Sequence, residues 1–255
     1  MQVRREDAHR HRTREEHVGD LDDLETEPAL QVQHQQQADG RLRSHGRHHG
    51  HKHRPEPGAV PKLIDHDRRR EEIAEATWRV IHAEGISGVS IRTVAAEAGI
   101  STGSIRHVFP SKTELLVHAT ELVGRRARVR IQRHLAEPEP RALVLSVVEE
   151  LLPLDAERRL EMEVTVALIA EAPGNARVRE VLDESYEVVR EVCRRLVTRL
   201  RRAGLTAPGV DVESATTVLH GLVDGLAIHL LINPDPDFRR QALRMIEASI
   251  DGLRS

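Results

Sequence analysis

Aromatic residues and cysteine are both scarce in this sequence. Phe, Trp and Tyr together make up 2% of the 255 residues, so a core must be filled by Leu, Val, Ile and Ala, as is usual where helices pack on one another. The single cysteine, Cys193, excludes an intrachain disulfide and a cysteine-based zinc site, and this composition is typical of a reducing cytoplasm. The chain has no run of about 18 apolar residues and no charged-then-apolar leader, so we expect neither a membrane span nor a secretion signal.

Signatures of catalysis are also missing. The sequence contains no Ser-His-Asp order, no Glu-x-x-His pair and no phosphate-binding loop of the kinds that mark enzymes. We therefore predict no catalytic residue, no cofactor and no enzymatic activity. The formal net charge of -3 does not by itself indicate nucleic-acid binding, so such a function would depend on local clusters of positive charge.

Residues 1–59 differ in composition from the rest of the chain. They are dense in Arg, His, Gln, Asp and Glu, and they show almost no apolar periodicity. Such a segment cannot bury enough apolar surface to fold, so we predict a disordered tail. Its stretch from His45 to His53 is rich in histidine, and a metal-binding tract is the alternative to a solvated tail there.

The most informative stretch runs from Ser90 to Lys112. Its first half carries apolar residues at helical spacing, with Ser90 as the N-cap. These apolar residues are Ile91, Val94, Ala95 and Ala98. Gly99 stops that helix, Ser101 caps the next one, and Pro110 ends it. Two short helices joined by a glycine-containing turn are typical of a helix-turn-helix.

The second short helix has the composition of a helix that enters a DNA groove. Ile105 and Phe109 can anchor its inner face, which leaves small, polar and basic side chains pointing outward. Ser111 begins a capping box with Glu114, so Lys112 lies in a first helical turn. An ammonium and free backbone amides together favour a phosphate at that position.

A family resemblance is carried by the residues from Gly99 to Leu116. This run, GISTGSIRHVFPSKTELL, resembles the DNA-binding domain of TetR/AcrR-type transcriptional repressors. Its FPSK segment with the upstream Gly and Ser makes the resemblance specific, and its STG triplet is most similar to the BetI-like branch. The chain differs from the family at Arg106, where Tyr is usual, and at Val108, where an aromatic residue is common.

Several side chains of the helix-turn-helix are predicted to contact DNA. The candidates for phosphate contacts are Ser90, Arg92, Thr102 and Lys112. Ser104 and Arg106 are predicted to meet bases, the arginine by a bidentate pair with guanine, whereas His107 suits either role. Gly103 lowers helix stability by about 1 kcal/mol relative to Ala, which indicates a close approach to the DNA backbone.

The resemblance also offers a second account of the first residues. The segment after Val60 is similar to the usual opening of such regulators. Because GTG is both a valine codon and a bacterial start codon, residues 1–59 are alternatively a wrongly assigned extension of a protein that begins at Val60. Mass spectrometry of the native protein that finds peptides from residues 1–50 would exclude this hypothesis.

The segment before the helix-turn-helix is predicted to form a helix capped by Asp67. We expect Trp78 to be partly exposed, either in packing or in contact with the next domain. The arginines at positions 68–70 are either contacts with the DNA backbone or a solvated run. In the resembled family the helix that contains Leu115 links the DNA-binding domain to the ligand-binding domain. Its arginine run at 125–133 is expected to be solvated or salt-bridged rather than a second DNA site.

The rest of the chain is predicted to be helical, because apolar residues recur at helical spacing and no segment alternates like a strand for long. The predicted fold class is therefore all-α. A three-helix helix-turn-helix domain at 68–128 precedes a helical domain at 141–255, to which the resemblance assigns effector binding and dimerisation.

Two glycines mark the helix predicted at 212–232. Gly221 and Gly225 are spaced so that another helix can approach closely. In the resembled family the last two long helices form a four-helix bundle with a second subunit, which implies a homodimer that reads a palindrome. His220 and Asp224 on the same helix are interpreted as a structural pair, with an effector or metal site as the alternative.

The resemblance implies a dimeric cytoplasmic repressor that a small-molecule effector releases from a double-stranded DNA operator. No residue is assigned to the effector or to a metal. The alternative is a metal-responsive DNA-binding regulator that uses the histidine-rich tail.

Overall fold

Every regular element that the structure describes is helical. The structure is a computed structural model that describes residues 62–254, so the predictions for residues 1–59 lie outside the described residues. Its α-helices, in chain order, are α1 Lys62–Glu84, α2 Ile91–Glu97, α3 Thr102–Val108, α4 Lys112–Gln132, α5 Pro140–Glu150, α6 Ala156–Glu171, α7 Ala176–Arg202, α8 Val212–Ile232 and α9 Pro236–Asp251. Short 3-10 turns follow α1, α6 and α9. No strand occurs in residues 62–254, and the predicted all-α fold class is confirmed.

Serine caps set the starts of the three helices that follow α1. The hydroxyl of each cap accepts a hydrogen bond from the amide three residues later, which satisfies one of the free donors of the first turn. The caps are Ser90, Ser101 and Ser111, as predicted. The expected cap at Asp67 is wrong, because α1 already begins at Lys62.

One core joins the first four helices to those that follow. Ile105 and Phe109 are buried in it, and the same cluster of buried side chains includes Val164 of α6 and Val178 of α7. Helix α1 packs on α4 and on α6. The described residues therefore form a single compact unit. The division into functional domains at 68–128 and 141–255 stays a prediction, and the packing across it is continuous.

Trp78 lies between α1 and α4, and the expectation that it is partly exposed is wrong. Only 2% of its surface is exposed. Its indole Nε1 donates a hydrogen bond to the carbonyl oxygen of Ala119 at 3.0 Å, and the guanidinium of Arg126 lies over its ring, 5.0 Å from the centroid. A buried indole is stable here because its polar atom has an acceptor and its face has a cation.

Helix α8 has two apolar faces. One face is buried within the protomer, and its side chains include Leu219, Val223 and Leu226. The other is exposed and carries large apolar side chains, among them Val218 and Ile232. By length and composition alone α8 could cross a membrane, which differs from the expectation drawn from the sequence. Apolar side chains on both the buried and the exposed face of the helix account for this composition.

Candidate nucleic-acid interface

A tight glycine turn fixes the angle between α2 and α3. Gly99 has a φ of 66°, a conformation that glycine adopts at little cost. The amide of Gly99 donates to the carbonyl of Ala96 at 3.2 Å, and the amide of Ile100 donates to the carbonyl of Ala95 at 3.0 Å. This pair of bonds is a Schellman motif, which ends α2 and turns the chain directly into α3.

Helix α3 has a buried face and an exposed face. Ile105 is buried on α3, and Phe109, its C-cap, is buried just beyond it. The opposite face presents four of the predicted DNA contacts side by side in solvent. These are Thr102, Gly103, Arg106 and His107. The sequence prediction and the structure therefore agree on which face of α3 is available to a ligand.

Ser104 lies apart from that exposed face. It is half-buried, its amide donates to the hydroxyl of Ser101 at 3.1 Å, and the two hydroxyls are 2.9 Å apart. Its hydroxyl is thus engaged within the turn that begins α3. The prediction that Ser104 meets a base stays a prediction, and such a contact would have to share this hydroxyl with Ser101.

The predicted phosphate contacts lie on the edges of the same surface. Arg92 is exposed in the first turn of α2. Ser90 is half-buried, and its hydroxyl takes part in the capping box with Thr93. The Nζ atom of Lys112 donates to the carbonyl oxygen of Ile86 at 3.0 Å, so this ammonium braces the turn after α1 as well as lying beside α3.

The exposed arginines of the helix-turn-helix differ from arginines elsewhere in the protein in whether they form ion pairs. Within residues 66–254, no ion pair joins Arg92 or Arg106 to a carboxylate. By contrast, Arg79 pairs with Glu97 at 2.5 Å. Cations without a carboxylate partner are available to neutralise phosphates or to contact guanine. The local positive charge that net charge conceals therefore lies on the α2 and α3 surface.

The arginine run at 68–70 has two members with partners inside the protein. Arg68 pairs with Glu72 at 2.9 Å, and the guanidinium carbon of Arg70 lies over the ring of Phe109, 4.9 Å from its centroid. The alternative that the run is merely solvated therefore does not describe Arg68 and Arg70. Contact of this run with the DNA backbone stays a prediction.

Three of the four arginines of α4 form salt bridges, in agreement with the expectation of a solvated or salt-bridged run. Arg126 bonds to Glu75 on α1 and lies 3.3 Å from Glu157 on α6. Arg130 approaches Glu161 on α6 with two nitrogens, at 2.9 and 2.6 Å. Burial raises the pKa of Glu161, although the charge and hydrogen bonds of Arg130 oppose that shift.

Sequence patterns did not reveal the partners of these charges. Glu161 is almost fully buried, yet a Glu in a helical stretch is most often exposed. His118 is also buried, with its ring against that of Phe109, and no local motif marked it. Spacing within one helix identifies neighbours on that helix only, so contacts between helices needed the tertiary structure.

The remaining histidine and cysteine predictions concern the C-terminal helices. His220 Nε2 lies 3.4 Å from a carboxylate oxygen of Asp224, and the ring of Tyr186 packs against His220. Residues 62–254 contain no group of three or more potential metal ligands, while the histidine-rich tract lies outside them. Burial raises the pKa of the Cys193 thiol to about 12, which suits a packing residue rather than a sensor thiol.

A capped helix-turn-helix with an exposed basic face, on a larger bundle of helices, defines a class: transcriptional regulators that bind DNA through this motif. The family model described as bacterial regulatory proteins of the tetR family matches residues 73–119, and that of the BetI-type transcriptional repressor C-terminal domain matches residues 140–255. The chain belongs to the TetR family, with a C-terminal domain of the BetI type. This is a family of transcriptional regulators rather than enzymes.

Known proteins resemble the chain over most of their length. The HTH-type transcriptional regulator PksA of Bacillus subtilis is 38% identical over 195 residues, which are 76% of this chain and 94% of PksA. BetI of Paraburkholderia phymatum is 27% identical over 199 residues, 76% of this chain and 97% of that protein. The crystal structure of a transcriptional regulator from Saccharomonospora viridis in complex with choline is 26% identical, with a TM-score of 0.60, and the match covers 71% of this chain and 96% of the other.

Proposed function

We propose that this regulator is a cytoplasmic homodimeric repressor that binds a palindromic operator and is released by a small molecule. The observation that carries the proposal is the exposed face of α3, where Arg106 and His107 stand beside Gly103. A helix with small residues at its start and basic residues at its end fits the major groove of double-stranded DNA. One such helix reads only a half-site, so the proposal requires two protomers.

The exposed face of α8 supports the homodimer. Its members alternate at spacings of three and four residues, the pattern of a helix that packs along another helix. They are Val218, Gly221, Gly225, Ile228 and Ile232. A Cβ atom added at Gly221 or Gly225 would meet no atom of the protomer within 4 Å, so the fold itself does not need glycine there. Glycine at these two positions suits a close approach by a second copy of α8.

Exposed apolar residues on α9 extend the same proposed interface. Met245 is 43% exposed and Ala248 is also exposed. Helix α9 packs against α8 within the protomer, so two helices of each copy would form a four-helix bundle. Apolar surface on neighbouring helices is typical of a permanent protein interface.

Unpaired polar atoms in the C-terminal helices support the small-molecule effector. The Oγ1 atom of Thr216 on α8 is fully buried and has no hydrogen-bond partner in the described structure, and Nη1 of Arg195 on α7 is in the same state. Buried polar atoms are rarely left unpaired in proteins, and a bound ligand is one way to satisfy them. The S. viridis regulator bound to choline supports a small organic molecule as the class of effector.

The proposed DNA function is tested by selection from random double-stranded DNA with the purified full chain. We expect enrichment of a palindrome whose half-sites are about one helical turn apart, bound by two protomers in sedimentation experiments. Failure to enrich any sequence would refute the proposal. A reporter gene placed behind the selected operator should be transcribed less when the protein is present, and increased transcription would identify an activator instead.

A further inference from the structure

Helix α3, the proposed DNA-reading helix, has few buried side chains, although the half-buried Val108 also packs against the core. Helix α3 spans Thr102–Val108 and has a single buried residue, Ile105. Such a short helix has little stability of its own, so its direction depends on its tertiary anchors. The second anchor is Phe109, which is 2% exposed and whose amide donates to the carbonyl of Ile105 at 2.7 Å. The position of the Phe109 ring therefore controls the C-terminal end of α3.

Two charged or polar side chains from different helices hold that ring. The guanidinium of Arg70, on α1, lies 4.9 Å from the ring centroid, in the geometry of a cation–π contact. The ring of His118, on α4, has its centroid 5.1 Å from that of Phe109, with an angle of 37° between the planes. Phe109 thus ties α3 to both α1 and α4.

His118 is itself fixed by a carboxylate. Its Nδ1 atom lies 3.0 Å from Oε2 of Glu121, and Arg125 lies 3.9 Å from the same oxygen. The hydrogen bond from His118 lowers the pKa of Glu121, with further lowering by the positive charges of Arg125 and Arg70 and with burial opposing it. The carboxylate is therefore an anion that anchors the imidazole ring.

The other nitrogen of His118 shows that the ring is not simple core filling. Nε2 is buried and has no hydrogen-bond partner in the described structure. An unpaired buried nitrogen destabilises the fold, and a leucine at this position would avoid that cost. The contact of the imidazole with Phe109 offers a reason for a histidine here that does not depend on stability.

We propose that His118 and Arg70 are positioning residues for DNA recognition. They fix the Phe109 ring and thereby the angle at which α3 presents Arg106 to the bases. The proposal rests on the proposed function of α3 as the DNA-reading helix. It gives Arg70 a role on the inner side of the helix-turn-helix, distinct from contact with a phosphate.

The first test replaces His118 with leucine and measures the ratio of affinities for the selected operator and for the same DNA with one changed base pair. We expect His118→Leu to lower this ratio roughly three- to tenfold, the change that loss of one aromatic contact implies. Affinity for random DNA and its dependence on salt should stay the same, because no phosphate contact is removed. His118→Phe keeps a ring against Phe109 and should retain most of the discrimination.

A matched control is the same substitution at His82, which pairs with Glu163 away from Phe109. His82→Leu should leave the affinity ratio unchanged. Wild-type discrimination in His118→Leu, or an equal loss in His82→Leu, would overturn the proposal. Arg70→Leu should reproduce the loss seen in His118→Leu without changing the salt dependence. If its salt dependence weakens by about one phosphate contact, Arg70 is a DNA contact and the proposal is wrong for that residue.

A second measurement needs no DNA. Hydrogen exchange at the amides from Ile105 to Phe109 should be faster in free His118→Leu than in wild type, while His118→Phe should resemble wild type. Unchanged exchange would overturn the positioning role. The wild-type protein could select no operator while hydrogen exchange in His118→Leu still becomes faster. In that case the proposed function is wrong, but the contact of His118 with Phe109 still holds the end of α3.

Discussion

Gly103 is a glycine that the fold does not require. It lies within α3 and is absent from the described glycines with positive φ. A Cβ atom added there would meet only the Ser101 hydroxyl, at 3.7 Å, which is ordinary contact. Alanine would therefore fit at this position within the protomer, which supports the proposal that DNA approaches closely there.

We therefore expect Gly103→Ala to separate stability from function. The free energy of unfolding should rise by up to about 1 kcal/mol, because alanine favours the helix. Operator affinity should fall, because the methyl group occupies space needed by the DNA backbone. Chemical denaturation and gel-shift titration measure the two effects. Gly124→Ala is the matched control, since a Cβ atom added at this position of α4 would meet no atom within 4 Å, and it should stabilise without weakening DNA binding.

Substitutions at Arg106 and at Lys112 should change DNA binding in different ways. Arg106→Ala should reduce discrimination between the operator and a variant with one changed base pair by about 1–3 kcal/mol, the value of a bidentate contact with a base. Lys112→Met should weaken binding to all sequences and lower the salt dependence by about one phosphate contact. Titrations at several salt concentrations measure both.

The structure supplies the competing outcome for Lys112. Its ammonium bonds to the carbonyl of Ile86. If the role of Lys112 is purely structural, Lys112→Met should lower thermal stability and leave the salt dependence of DNA binding unchanged. Equal operator affinity for Arg106→Ala and wild type would refute the assignment of Arg106 to a base.

Thr216 offers a test of the proposed effector site. Because its buried hydroxyl has no partner, Thr216→Val should raise the free energy of unfolding by about 1 kcal/mol in the absence of ligand. Thermal unfolding with choline as the first probe measures the response to a ligand. A lower stability for the unliganded variant would mean that the hydroxyl is already satisfied, contrary to its proposed availability to an effector.

At the scale of elements, α4 connects the helix-turn-helix to the helices that follow it. Arg126 and Arg130, one turn apart, face Glu157 and Glu161, also one turn apart on α6. Glu150 of α5 adds a second carboxylate to Arg130 at 3.0 Å. These ion pairs favour the present register of α4 on α6, because a shift by one helical turn would break at least one of the two.

The buried pair should give the protein a distinctive pH dependence when it is broken. Burial raises the folded-state pKa of Glu161, so stability linked to this group is present below its unfolded pKa and is lost as pH rises through the folded pKa. Arg130→Met removes the opposing cation and should destabilise the fold by about 3 kcal/mol near neutral pH. Part of that loss should be recovered on acidification, as Glu161 takes up a proton.

Thermal unfolding from neutral to mildly acidic pH measures this effect. The double variant Arg130→Met with Glu161→Leu is the control, because it leaves no charge buried without a partner and should lack the recovery on acidification. A pH profile for Arg130→Met that parallels the wild type would show that Glu161 finds another cation.

At the scale of the whole molecule, the proposed dimer gives the two faces of α8 different roles, one in folding and one in assembly. Gly221→Glu should leave the protomer folded, since the position is open to solvent, and should prevent dimerisation by placing two like charges in the proposed interface. Sedimentation velocity should find a monomer, and operator affinity should fall by orders of magnitude because half-sites are bound singly. Gly124→Glu, at an open glycine of α4, should remain dimeric. A dimeric Gly221→Glu protein would refute this interface.

The resemblance carried by GISTGSIRHVFPSKTELL indicates the right family without the tertiary structure, because helix caps and turns are local. Ser90, Gly99 and Ser101 act on neighbours within a few residues, so their roles follow from the order of the chain. The apolar spacing of the later segments likewise predicts an all-α fold. The start of α1 was predicted at the wrong residue, because the helix begins at Lys62 and Asp67 lies inside it.

Only the tertiary structure decided which distant residues meet. It places Arg70 of α1 and His118 of α4 against the ring of Phe109. It also buries Trp78 beneath Arg126 and joins Arg130 to Glu161. These contacts connect helices that lie far apart in sequence, and no periodicity within one helix encodes its partner's register. The sequence by itself thus determined the family, the helices and the exposed side of α3, whereas the three-dimensional packing decided what holds α3 in place, because side-chain contacts between helices depend on their relative angle and position.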